Sequence, residues 1–257
     1  MTLRSFLINS LASFALLLTA STAGANPTYT DTDWNATLKA GCGLPEPKGG
    51  KDSIAWVQKG QDRKLLFTLQ KGQVGTCSTD NQARHRAAFW ERAELSQHGG
   101  ISLGKVNTIE FEATFLDGFR GERETFFQIH NWSRTCNASP PLMMKMHKGK
   151  LQVLTLQGVR VQNGILEKQG KHRSVYRKTT KIKKLIGKPS KFRVVFDARG
   201  VDRGTLDVYL NNKQLVKDAR IDYASCAKPY AKIGIYRPGG VSRTSQIVFD
   251  DVLLTNK

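Results

Sequence analysis

An all-β fold, an antiparallel sandwich or jelly roll, is what this sequence predicts, and three observations carry it. Short segments with alternating apolar and polar residues recur through the chain, turn residues punctuate them at regular spacing, and helical periodicity never lasts beyond two turns. Folds of this kind offer a concave sheet face on which a long polymer can lie.

The chain opens on Met1-Thr2-Leu3-Arg4, an apolar run from Phe6 to Leu18, and Ala23-Gly24-Ala25. That order reads as a secretory signal peptide over 1–25, since the run is too short and too interrupted for a membrane span. No later segment is apolar enough to cross a bilayer, so the expectation is a periplasmic or secreted protein with no membrane insertion. Residues 26–61, rich in Gly, Pro, Thr and Asp, predict an irregular arm; 62–257 then forms one large β domain.

Leu65–Leu69 reads as a buried strand, and 72–86 as a polar loop containing Cys77. In Phe89–Leu95, Trp90, Arg92 and Glu94 share one face of a strand and Ala93 and Leu95 the other. Thr108–Phe115 alternates cleanly, with Ile109, Phe111, Ala113 and Phe115 inward. Glu122–His130 is read with Thr125, Phe127 and Ile129 on one face and Phe126, Gln128 and His130 on the other. A loop with Cys136 follows, then Leu142–Met146 and Leu151–Gln157 as a hairpin turning at Lys148-Gly149. The stretch 168–191 is crowded with Lys and Arg and reads equally as a basic wall or a solvated hairpin. Phe192–Phe196 and Thr205–Leu210 are strands, with Asn211-Asn212 suited to a tight turn. Ser245–Leu254 closes the domain.

The strand Tyr230–Tyr236 is the unusual one. Ala231, Ile233 and Ile235 form an apolar face, whereas Tyr230, Lys232, Gly234 and Tyr236 give the other face two phenols, an ammonium and a gap. Such a row looks like the floor of a binding site.

The formal net charge is +19, and Arg4 is the only charged residue in 1–25, so a chain without that segment carries about +18. A surface this basic attracts polyanions. For an exported protein these are acidic polysaccharides sooner than nucleic acid, whose case rests on charge alone. Four cysteines (Cys42, Cys77, Cys136, Cys226) in an exported chain predict two disulfides, with three pairings open. Their spacing fits no metal motif, and Asp250-Asp251 alone makes no calcium site.

Three strands thus carry Arg92 with Glu94, Gln128 with His130, and Lys232 with Tyr236. Arg and Gln suit neutralisation of a uronate carboxylate. Neutral His or a phenolate suits abstraction of the adjacent proton, and Tyr suits protonation of the departing oxygen. The set is sufficient for β-elimination with no metal or nucleotide cofactor.

Arg92-Ala93-Glu94-Leu95, Gln128-Ile129-His130 and Tyr230-Ala231-Lys232-Ile233-Gly234-Ile235-Tyr236 resemble, in order and spacing, the signature segments of the jelly-roll polysaccharide lyases. These include the family 7 alginate lyases and the heparin lyase I and glucuronan lyase groups. The layout extends from about residue 62 to Leu254, while Arg237-Pro238-Gly239-Gly240 departs from the alginate pattern and the run Lys232-Ile233-Gly234-Ile235-Tyr236-Arg237 lies nearer the heparin lyase I-like group. The resemblance implies a concanavalin-like jelly roll with a concave groove, and an exported, monomeric enzyme that cleaves a uronate polymer to unsaturated oligosaccharides. It implies Arg92, Gln128, His130 and Tyr236 as catalytic residues, and Glu94, Lys232, Tyr230 and Arg237 as substrate-binding ones. A non-catalytic module binding acidic glycans is the alternative that fold and charge alone would satisfy.

Overall fold

The computed structural model describes residues 28–29, 37–45, 53–59, 62–83, 87–97, 99–177, 180–241 and 243–257. The segment 1–25 lies outside them. In chain order the strands are β1 (Thr28–Tyr29), β2 (Leu38–Lys39), β3 (Ile54–Lys59), β4 (Asp62–Leu69), β5 (Trp90–Gln97), β6 (Val106–Phe115), β7 (Glu122–Asn131) and β8 (Leu142–His147). They continue as β9 (Lys150–Gln162), β10 (Ile165–Tyr176), β11 (Ser190–Asp197), β12 (Arg203–Leu210), β13 (Lys213–Asp222), β14 (Pro229–Pro238) and β15 (Ser245–Asn256). Among the described residues the one helical element is a 3-10 turn at Ile182–Lys184, and no helix is long and apolar enough to cross a membrane.

The strands form two antiparallel sheets, ordered β1-β2-β5-β14-β7-β8-β9-β10 and β13-β12-β11-β6-β15-β4-β3. Each sheet turns one face inward, and the alternation of the sequence is the cause. Ile109, Phe111, Ala113 and Phe115 of β6 are all buried, as expected. Phe111 stands between the layers, stacked 4.9 Å from Phe127 of the first sheet and 5.2 Å from Phe192 of its own. Aromatic pairs at such separations add to the stabilisation from burying their area. The two hairpin turns read from sequence are present, with φ of +50° and +67° at Lys148-Gly149 and +47° and +64° at Asn211-Asn212, the left-handed pair that a two-residue hairpin requires.

Two sequence expectations need correcting. The irregular arm ends earlier than residue 61, because Ile54–Lys59 is a regular strand paired along β4. Its apolar run Ile54-Ala55-Trp56-Val57 lacks the period-two signal. The second correction concerns β7, where Phe126 and Phe127 are both fully buried. Register shifts against β8 and β14 mark bulges here, so the facing parity changes at this point. Phe126 therefore packs on Phe115 and Phe192 in the core, not beside Gln128. Thr125, expected to share a face with Phe127 and Ile129, instead shares one with its register partners Tyr236 and Lys145.

The four cysteines form Cys42–Cys77 and Cys136–Cys226. The first ties the chain near β2 to the β4–β5 loop. The second ties the β7–β8 loop to the segment that leads into β14. Both lie next to strands that carry the site.

Candidate active site

β5, β14 and β7 are adjacent in the first sheet, and their register brings the three sequence segments together on its outer face. Lys232 pairs with Ser96 on one side and Gln128 on the other; Tyr230 lies opposite His130, and Tyr236 opposite Arg92. Gly234 makes this close pairing possible. Its φ is +135°, and a Cβ there would stand 2.2 Å from the Ala93 carbonyl oxygen. A side chain at this position would push β14 from β5.

Glu94 is the hub. Fully buried, it accepts hydrogen bonds from the Arg92 guanidinium, from Gln128 Nε2 at 2.6 Å and from Lys232 Nζ at 2.9 Å. Burial alone would raise its pKa, but Lys232 and Arg92 with these hydrogen bonds prevail and hold it at about 2. Arg92 also donates from Nε and Nη2 to the two oxygens of Asp80, each at 2.8 Å. Burial disfavours the Arg92 cation, yet Glu94 and Asp80 outweigh it, so its pKa rises. Lys232 shifts downward, through burial and then the Arg92 charge, with Glu94 opposing.

The Arg92 guanidinium lies 4.0 Å from the ring centre of Tyr236. Trp90 stacks on that ring at 4.9 Å. Tyr236 is thereby clamped between a cation and an indole. His130 and Tyr230 form a second pair, half-buried, with rings 5.4 Å apart and the Tyr230 hydroxyl 3.3 Å from His130 Nδ1. Burial, then Lys232 and Arg92, depress the His130 pKa to about 3, so its imidazole is neutral at ordinary pH. Burial raises the Tyr230 phenol to about 12, Glu94 adding to the shift and Arg92 opposing it.

Of the eight residues singled out from sequence, seven stand on this face: Arg92, Glu94, Gln128, His130, Tyr230, Lys232 and Tyr236. Arg237 does not join them. Its side chain is wholly buried on the opposite face, with Nε donating to Glu91 at 2.6 Å and Nη1 to Ser245 Oγ at 2.6 Å. Glu124 lies 3.6 Å from the same guanidinium. Alternation from Ile235 already places Arg237 on the core side, so its inward direction was readable from the strand, though its partners were not.

Asp80 is the residue that sequence reasoning missed. It sits in a polar loop, and only the fold shows that this loop runs along β5. Trp90 N donates to Asp80 O at 2.8 Å, and Arg92 N to Gln73 O at 3.2 Å. Among the described residues no cluster of three or more His, Cys, Asp or Glu side chains is placed to hold a metal ion.

Known proteins share the fold that carries this face. The glucuronan lyase of the fungus Trichoderma reesei superposes with a TM-score of 0.57 at 13% identity, over 82% of this chain and 93% of that one. A family 7 alginate lyase, a histidine-to-asparagine and tyrosine-to-phenylalanine variant in complex with substrate, gives 0.55 at 13% identity, over 83% and 90%. Alginate lyase AlgAT5, also of family 7, gives 0.52 at 12% identity, over 90% and 94%. At these identities the likeness establishes the jelly-roll fold. No curated protein matches the sequence. The model of the polysaccharide lyase family matches residues 47–253, nearly the whole of the described sandwich, and the chain belongs to that family.

Proposed function

We propose that this polysaccharide lyase acts outside the cytoplasm on a uronate-containing polymer and cleaves it by β-elimination. The observation that carries the reading is the convergence of Arg92, Gln128, His130, Lys232 and Tyr236 around Glu94 on one sheet face. In the reaction the Gln128 amide and the Arg92 guanidinium face the substrate carboxylate and draw off its charge, which acidifies the proton on the adjacent carbon. His130, neutral, accepts that proton or orients the group that does. The electron pair left behind forms a carbon–carbon double bond, the bond to the bridging oxygen breaks, and Tyr236 supplies that oxygen with a proton. Glu94 and Asp80 hold Arg92 in place and Glu94 holds Lys232; Tyr230 holds the imidazole.

Export is supported by the signal-like segment 1–25 and by two disulfides, which persist in oxidising compartments. Action as a monomer is part of the same proposal.

The test is an ultraviolet assay for the conjugated product with alginate, glucuronan, heparin and hyaluronan. At least one polymer should give absorbance, and Tyr236→Phe should lower kcat by about a thousandfold or more, as expected for loss of a proton-transfer group, while leaving oligosaccharide affinity within a few-fold. Folded protein silent on every polymer, yet binding them, would favour a glycan-binding module instead. Full activity in Tyr236→Phe would remove that residue from the mechanism.

A further inference from the structure

Two sets of basic residues flank Tyr236 on the outer face of the first sheet. Those around Glu94 are neutralised by carboxylates. A second set lies on the other side of Tyr236 and is not. Across neighbouring strands Tyr236 pairs with Thr125, Thr125 with Lys145, and Lys145 with Gln152. Lys145 therefore stands two strands from Tyr236 at the same level, about 10 Å away by strand spacing. His147 follows on the same face of β8, and Arg123 precedes Thr125 on β7.

Arg123 occupies a bulge, with φ +64°, a conformation unfavourable for a non-glycine residue. Its guanidinium lies 5.8 Å from the ring centre of Trp90, the indole that stacks on Tyr236. Lys145 and His147 are half-buried. Burial, then Arg123 and Arg177, lower the Lys145 pKa; burial, then Lys145, Lys148, Arg123 and Arg177, lower that of His147. Among the described residues none of Arg123, Lys145, His147 or Arg177 has an ion-pair partner, and His147 Nδ1 is buried without a hydrogen bond. Glu122, the register partner of His147, is paired with Arg243. Glu124 turns into the core, where Ser245 donates to it. Partly desolvated like charges repel one another, and a fold that keeps them together gains only when an anion arrives.

We propose that Arg123, Lys145 and His147, with Arg177 beside them, form a subsite for an acid group of the polymer on the β8 side of Tyr236. The ligand is a carboxylate or sulfate ester on a sugar unit away from the one being cleaved. The polymer would thus run across the strands from Arg92 towards β8 and β9, and two anionic groups at this spacing would be held at once. The inference rests on the acidic-polysaccharide reading above.

The experiment compares the parent with the double variant Lys145→Gln/Arg177→Gln. Binding of glucuronan, polymannuronate and heparin oligosaccharides is measured by calorimetry, turnover by ultraviolet absorbance. We expect affinity and KM for long chains to worsen about tenfold, consistent with loss of charge-assisted contacts, with kcat within about twofold. The effect should shrink on the shortest cleavable oligosaccharide. Preference among the three ligands separates carboxylate from sulfate recognition. The thermal midpoint should hold or rise, because repulsion has been removed. Unchanged affinity and KM would overturn the subsite, as would a loss of affinity that tracks a falling midpoint. Should the parent cleave no polyuronate, the proposed reaction fails, and the calorimetry alone decides the subsite.

Discussion

Glu94 accepts from Arg92, Gln128 and Lys232 at the same time, and its carboxylate stays ionised down to about pH 2. A carboxyl depressed in this way stabilises the fold above its unfolded value of 4.5, and that stabilisation is lost as pH falls through about 2. His130 is depressed too, but for an imidazole the sign differs. Below 6.5 the unfolded chain takes up a proton that the folded one refuses until about pH 3, so acid weakens the fold across that window. The kinetic consequence is specific. An ordinary histidine base would impose an inflection near pH 6.5; here kcat/KM should pass through that region without one, and begin its acid decline well below it. A pH–rate profile checks this, and an inflection near 6.5 that disappears in His130→Asn would refute the burial argument. Gly234 belongs at this scale as well. Its role as the point where β14 passes the Ala93 carbonyl is visible only in space, although a glycine between two apolar β-branched residues already marks an irregular strand position.

At the scale of elements, the β4–β5 loop matters as much as any strand. Cys42–Cys77 ties it down, Asp80 N donates to the Cys77 carbonyl at 2.8 Å, and the Asp80 carboxylate grips Arg92 with two hydrogen bonds. The loop thus transmits its position to the guanidinium. Asp80→Asn preserves shape but loses the charge and one acceptor. We expect kcat to fall by about ten- to a hundredfold, the range a small misplacement of a reacting group produces, with KM changed less. Reduction of the disulfide should move kcat in the same direction. Steady-state kinetics alongside a thermal melt distinguish this from unfolding; kcat unchanged in Asp80→Asn would mean that Glu94 alone positions Arg92. The strand elements themselves were legible from alternation. The exceptions have physical causes: β3 opens on the unbroken apolar run Ile54–Val57, and in β7 the bulges change the parity that alternation assumes.

For the whole molecule, charge is the dominant property. A formal +19 produces a field that draws in polyanions before any contact forms. Such attraction is screened within about 8 Å at physiological salt and more strongly above it. Raising sodium chloride from about 0.05 to 0.5 M should therefore raise KM for polymer several-fold while kcat stays nearly constant. Kinetics at graded salt test this, and a salt-independent KM would show that local contacts, not the overall field, capture the substrate.

The sequence by itself determined the all-β class, the positions of most strands, and seven residues that meet on one face. Period-two patterning and residue type are local properties, and both survive reading along the chain. Pairing register is not local. Only the tertiary structure decided that β5, β14 and β7 are neighbours, that Arg237 belongs to an interior ion cluster with Glu91 and Glu124, and that Asp80 reaches Arg92. It also decided which cations on that face stand against carboxylates.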